Sequence, residues 1–122
     1  MRAYLTPIVP PRSVKRRCTD QDCREAIRKA ERGLIDADLG KGLIKQRIAR
    51  GGLGAARGSR AVIFYRRGQI AVFLHLFAKS QKANLTKSEL VAYQQAAQEL
   101  AKLKDEQLDA LSATQGWKAL DI

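Results

Sequence analysis

Four cations stand at the ends of short apolar runs or within them, and their spacing is the first chemical signal in the chain. Lys45 and Arg47 lie two apart in the run Leu43 to Ala49, Arg60 opens the run ending at Tyr65, and Lys79 follows the run Ile70 to Ala78. In extended backbone, residues two apart point to one face. If the runs are antiparallel strands, the start of the second and the end of the third meet at one edge. Lys45, Arg47, Arg60 and Lys79 are therefore expected to converge on one concave site. On the strands of a basic protein such cations are most often just the exposed sheet face. Were they to act on a phosphodiester, metal-free RNA cleavage would need a base for the ribose 2′-OH, a cationic clamp for the phosphorane and an acid for the leaving 5′-oxygen. Histidine often covers two of these tasks, but His75 is the single histidine of the chain, so a two-histidine mechanism is excluded. His75 lies two residues from both Phe73 and Phe77, which predicts a half-buried structural residue on their face of the pleat.

The elements that must hold these cations are strands with helices on either side. The three apolar runs are separated by RGGLGAARGS and by RRGQ, the pattern of an antiparallel meander. The second gap is short enough for a tight hairpin with Gly68 at the position of positive φ, whereas the first is long, Gly-rich and basic. Arg2 to Thr6 reads as a short edge strand stopped by Pro7, Pro10 and Pro11. Thr19 to Gly33 reads as a helix: acids crowd its first turn, cations its last, and Cys23, Ala26, Ile27 and Ala30 share a face that should pack on the sheet. Its other face, with Arg24, Arg28 and Glu31, reads as solvated. Asp36 and Asp38, next to glycines in a connection, read as turn formers or caps rather than as a catalytic pair. Thr86 with Glu89 forms a capping box that opens a second helix, striped with Leu90, Tyr93, Ala97, Leu100 and Ala101. A shorter helix around Asp105 to Ala110 follows. The tail GWKALDI either adds a strand or packs its Trp117 into the core.

Composition sets the bounds. The chain has 122 residues, 23 Lys+Arg against 12 Asp+Glu, and a net charge of +11. That length fits one α+β domain, residues 1–122, and that charge points to a polyanionic partner. Residues 1–67 carry 17 Lys+Arg and 6 Asp+Glu, residues 68–122 six of each, so the whole excess sits in the first half. Cys18 and Cys23 match no zinc spacing or disulfide framework and read as reduced thiols. The opening MRAYLTPIVPPRSVKRR is not a signal peptide, and the longest apolar run is too short to span a bilayer. A cytoplasmic protein with no membrane partner is expected.

Three phrases carry a family resemblance: GLIDADLGKGLIKQRIAR, the Ser59-Arg60 leading a strand, and LFAKSQKANLTKSEL. In this order, over Ala26 to Leu103, they resemble the HigB-like branch of the RelE/ParE toxins of bacterial type II toxin–antitoxin systems. The chain departs from that family at Gly58-Ser59, where a Gly-Gly is usual, and in its Pro-Pro opening. The resemblance implies a small microbial-ribonuclease-type fold, α+β, with an antiparallel sheet of three to four strands, N-terminal helices and a C-terminal helix packed on it. It also implies an mRNA endoribonuclease that works in the ribosomal A site with no cofactor or metal. The partners it implies are mRNA, rRNA and a cognate antitoxin, often of helix-turn-helix type.

On that resemblance Arg60 corresponds to the arginine that holds the scissile phosphate, and its fork can meet two non-bridging oxygens at once. Lys45 or Lys79 is the candidate base, provided like charges and burial lower its pKa. Arg47 is the candidate acid. Arg50, Arg57, Arg66, Arg67 and Lys82 read as contacts to RNA backbone, and Phe77 or Tyr65 as a platform for a base. Two other classes fit a basic chain: a ParE-like gyrase inhibitor that cuts nothing, and a plain RNA- or DNA-binding module.

Overall fold

A computed structural model describes residues 1–6, 20–48, 59–78 and 85–121. Six strands form one sheet: β1 Arg2–Leu5, β2 Ala37–Gly40, β3 Leu43–Ile48, β4 Ser59–Arg66, β5 Ile70–Ala78 and β6 Lys118–Leu120, in the order β2-β3-β4-β5-β1-β6. Three helices, α1 Asp20–Glu31, α2 Lys87–Ala101 and α3 Asp105–Gln115, complete the described structure. The α+β class and the central meander agree with the sequence reading. The strand count does not: the sheet is mixed and has six strands rather than three or four. Residues 37–40, read as connection, are a strand, and the tail supplies the sixth.

β1 is not an edge strand. It lies between β5, which it pairs in parallel, and β6, which it pairs antiparallel. Thr6 ties its end to β5 by donating from both its backbone N–H and its hydroxyl to the Phe73 carbonyl. The chain thus places its last strand on the outside of its first.

The sheet is covered on both faces, which explains why β4 and β5 read as continuous apolar runs rather than alternating ones. On one face α1 seats Cys23, Ala26, Ile27 and Ala30 against Ile44, Ile48, Ala61, Ile63, Phe73 and Leu76. Side chains of the size and burial of Ile27 each contribute about 2 kcal/mol. α1 ends as its sequence requires, with Gly33 at φ 82 and its N–H donating to the Ala30 carbonyl. On the other face α2 and α3 pack Ala97, Leu100 and Leu108 against Leu43, Val62, Phe64, Val72 and Leu74. The capping box at Thr86 and Glu89 is present. No helix among the described residues is long and apolar enough to cross a membrane.

Two turns set the register. Gly68 has φ 72 in the β4–β5 hairpin, as its position in RRGQ demands. Gly42, at φ 84 in the β2–β3 turn, is doubly constrained, because a Cβ there would stand 3.1 Å from the Phe64 ring. Within β5 the register with β4 shifts: Val62 faces His75 but Ile63 faces Phe73, so Leu74 is an extra residue. This bulge breaks the alternation that was expected to put His75, Phe73 and Phe77 on one face. Phe73 packs under α1, whereas Phe77 belongs to the opposite layer and stacks on His75.

Candidate functional site: a cationic row on the sheet

The site is read most directly from strand register. Arg47 of β3 stands opposite Arg60 of β4, and Arg60 stands opposite Phe77 of β5. The next row inward is Lys45, Val62 and His75, and the one after it Leu43, Phe64 and Val72. One face of three adjacent strands therefore passes from apolar, beneath α2 and α3, to cationic at the end away from the β4–β5 turn. α2 reaches the boundary with Tyr93, whose ring stacks on His75 at 5.5 Å.

Arg60 is 4 % exposed, an unusual position for a guanidinium. One Nη donates to the carbonyl of Ser59 at 3.3 Å. Burial holds its pKa below the usual arginine value, the charge of Arg47 lowers it further, and Asp36 opposes both. A buried cation facing a second cation is costly unless anions are supplied. Asp36 supplies one: its carboxylate accepts from Arg47 Nε at 2.9 Å and lies 4.0 Å from Lys45 Nζ.

Asp36 is held in turn by Gln46, which points to the opposite face of β3 and is 2 % exposed. The Gln46 side chain accepts from the Asp36 N–H at 3.0 Å and donates to the carbonyls of Ala26, at 3.0 Å, and Leu34, at 2.9 Å. One amide thus joins α1, the connection after it and the base of the cationic row. Beside this network a cleft of 430 Å³ is lined by Lys29, Leu34, Ile35, Asp36, Gln46 and Arg47. It lies where β3 runs past its pairing with β2, which ends at Lys45.

Lys45, Arg47 and Arg60 are thus brought onto one face. Lys79, Arg50, Arg57 and Lys82 lie outside the described residues. Arg66 is elsewhere: six residues from Arg60 along β4, about 20 Å away, it donates to the Ala101 carbonyl at the end of α2 and lies over the Phe64 ring. There it finishes a helix and covers a core ring from an exposed position, apart from the cationic row. Arg67 sits in the adjoining turn at that same end. Phe77 is 3 % exposed and packed on His75, so its ring has no open face for a base. Tyr65 faces α1, where its hydroxyl donates to Glu31, and it is remote from the row.

Three residues of the site escaped the sequence reading. By sequence Asp36 reads as a turn former or cap, and the turn-forming role belongs instead to Asp38, which accepts from the Gly40 N–H at 2.8 Å. Pairing 37–40 with 43–45 as a hairpin would have brought Asp36 beside Gln46. Gln46 was hidden between two cations, and Tyr93 was read only as helix stripe.

One protein-family model, the RelE toxin of the RelE / RelB toxin–antitoxin system, matches residues 1–119. The chain belongs to the RelE toxin family. Comparison with curated proteins and with solved structures gives no match. For this RelE-family toxin the match spans the helices, the strands up to Ala119 within β6, and the whole cationic row. It carries a toxin role and, with it, an antitoxin as partner.

Proposed function

We propose that this RelE-family toxin is an mRNA endoribonuclease of the HigB-like kind, acting in the cytoplasm at the ribosome, and that lysine and arginine carry its chemistry without a metal. The observation that supports this most is the convergence of Lys45, Arg47 and Arg60 from two adjacent strands onto one face, with Arg60 buried. A merely basic surface needs no arginine inside a sheet, and neither does a gyrase inhibitor that cuts nothing.

In this reading Arg60 binds the two non-bridging oxygens of the scissile phosphate. Lys45, or Lys79, takes the proton from the ribose 2′-OH. O2′ then bonds to phosphorus, the P–O5′ bond breaks, and Arg47 or a water that it orients returns a proton to the leaving oxygen. The products are a 2′,3′-cyclic phosphate and a 5′-hydroxyl. Arg50, Arg57, Arg66, Arg67 and Lys82 contribute contacts to rRNA or mRNA backbone, and a cognate helix-turn-helix antitoxin blocks the toxin. The ribosome's part is to hold the mRNA in line for attack, a positional contribution that free RNA lacks.

The test is to induce the wild type and Arg60→Ala in cells and map mRNA 5′ ends. Cuts within codons, present with the first and lost with the second, are expected. Growth arrest with intact mRNA would overturn the proposal in favour of gyrase inhibition.

A further inference from the structure

The cationic row contains its own anion. Asp36 is 16 % exposed at its side chain, touches Arg47 and approaches Lys45, and its backbone is anchored by the buried amide of Gln46. The Arg47 end of this ion pair is open, with the guanidinium side chain 53 % exposed at the rim of the 430 Å³ cleft. One partner is therefore fixed and the other is free to swing. A guanidinium bound through Nε to a carboxylate presents the same donor to a phosphate oxygen with equal ease.

Resting on the nuclease reading above, we propose that Asp36 is the counter-ion of the cationic row and is exchanged for the phosphodiester of the RNA. Without RNA it offsets the repulsion between Arg47 and Arg60 and holds Arg47 at the edge of β3. When RNA arrives, its phosphate replaces the carboxylate as the partner of Arg47. Asp36 thus acts through these cations as a positioning residue, and its charge sets how readily the site accepts an anion. The anchoring by Gln46 gives the exchange its direction, since Asp36 stays in place while Arg47 moves.

Binding of a short single-stranded RNA carrying 2′-O-methyl riboses, which cannot be cleaved, tests this by fluorescence anisotropy over a salt series. Asp36→Asn is expected to bind about fivefold more tightly than wild type. The slope of log K against log salt should steepen by about 0.7, the release of one more counter-ion. Asp36→Glu should bind as wild type does. Asp38→Asn removes the same charge from an exposed position of β2 and keeps its acceptor oxygen, so it should change binding much less. A residue that only supported the fold would weaken binding when replaced, so unchanged or weaker binding by folded Asp36→Asn overturns the proposal. A second measurement needs no variant: the Arg47 Nε–Hε resonance of the wild type should shift as this RNA is added, and a stationary resonance at saturation overturns the exchange. Failure of wild type to bind this RNA even at low salt, or binding that ignores Asp36, overturns the exchange alone, whereas the nuclease reading falls on its own test, the absence of cuts among the mapped mRNA 5′ ends.

Discussion

Arg47 and Arg60 stand directly opposite each other on β3 and β4, two like charges in one cross-strand pair, with the second buried. Such pairs destabilise a sheet, and an arginine in the interior adds its own desolvation cost. The depressed pKa of Arg60, caused first by burial and then by Arg47, expresses that cost. The fold tolerates at this point what a purely structural sheet would avoid. Arg60→Met, which keeps length and loses charge, should therefore raise stability by about 1 kcal/mol. The urea midpoint should rise with an unchanged slope, while growth arrest on induction is lost.

Gln46 should show the opposite behaviour. Its amide satisfies the Ala26 and Leu34 carbonyls and the Asp36 N–H from a position closed to water. Gln46→Leu fits the volume but strands the Leu34 carbonyl and the Asp36 N–H, while the Ala26 carbonyl keeps its place in the α1 ladder, at a cost of about 2–3 kcal/mol. Chemical denaturation measures that loss. Because the connection 32–36 is then untied, toxicity should fall as well, although the substituted side chain points away from the cationic row.

A third relationship fixes the β4–β5 hairpin. Glu31, at the end of α1, accepts from the Tyr65 hydroxyl and from the Gly68 N–H at 3.0 and 3.1 Å. The pKa of Tyr65 is raised well above its ordinary value, first by burial and then by the bond to Glu31. Since the folded state holds this proton more tightly than the unfolded chain, the contribution is complete below the unfolded value, about pH 10. It is lost as pH rises through the folded value. Tyr65→Phe should cost about 1 kcal/mol at neutral pH and reduce the alkaline loss of stability. Thermal melts between about pH 8 and pH 11 would show both effects.

How far the sequence could be read follows from where the information lay. Helical periodicity in Cys23, Ala26, Ile27 and Ala30, the Thr86 capping box and the Gly68 turn are local signals, and each appears where its spacing put it. β1 was legible as a strand but not in its neighbours, because pairing between Arg2 and Ile70 or Ala3 and Leu120 is a long-range choice that no local pattern encodes. The bulge at Leu74 was equally invisible. A one-residue slip within an almost wholly apolar run changes no periodicity, yet it moves Phe73 to the other face from His75. For the site, period-two spacing correctly set Lys45 and Arg47 on one face. It could not reveal Asp36, whose part depends on a hairpin masked by glycines and on the amide of Gln46 reaching from the opposite face of β3.

The last prediction concerns the side of the sheet remote from β2, where β1 meets α3. Arg2 forks onto Asp109, with Nε to Oδ1 at 3.0 Å and Nη2 to Oδ2 at 3.2 Å, and its Nη1 reaches Asp105 at 3.1 Å. The Tyr4 hydroxyl donates to the same Asp109 carboxylate. These bonds, Arg2 first and Tyr4 second, hold the Asp109 pKa below its ordinary value. A depressed folded pKa gives stability that is present above the unfolded value, about pH 4, and lost as pH falls through the folded one. Asp109→Asn should therefore lower the melting temperature at neutral pH but leave the most acidic melts nearly unchanged, so that the two curves converge as pH falls. Arg2→Lys, which replaces a fork with a point charge, should lie between them. Because β1 is flanked by β5 and β6, loosening this side should speed hydrogen exchange at Ala3 and Leu5 before it reaches β4, where the cationic row stands.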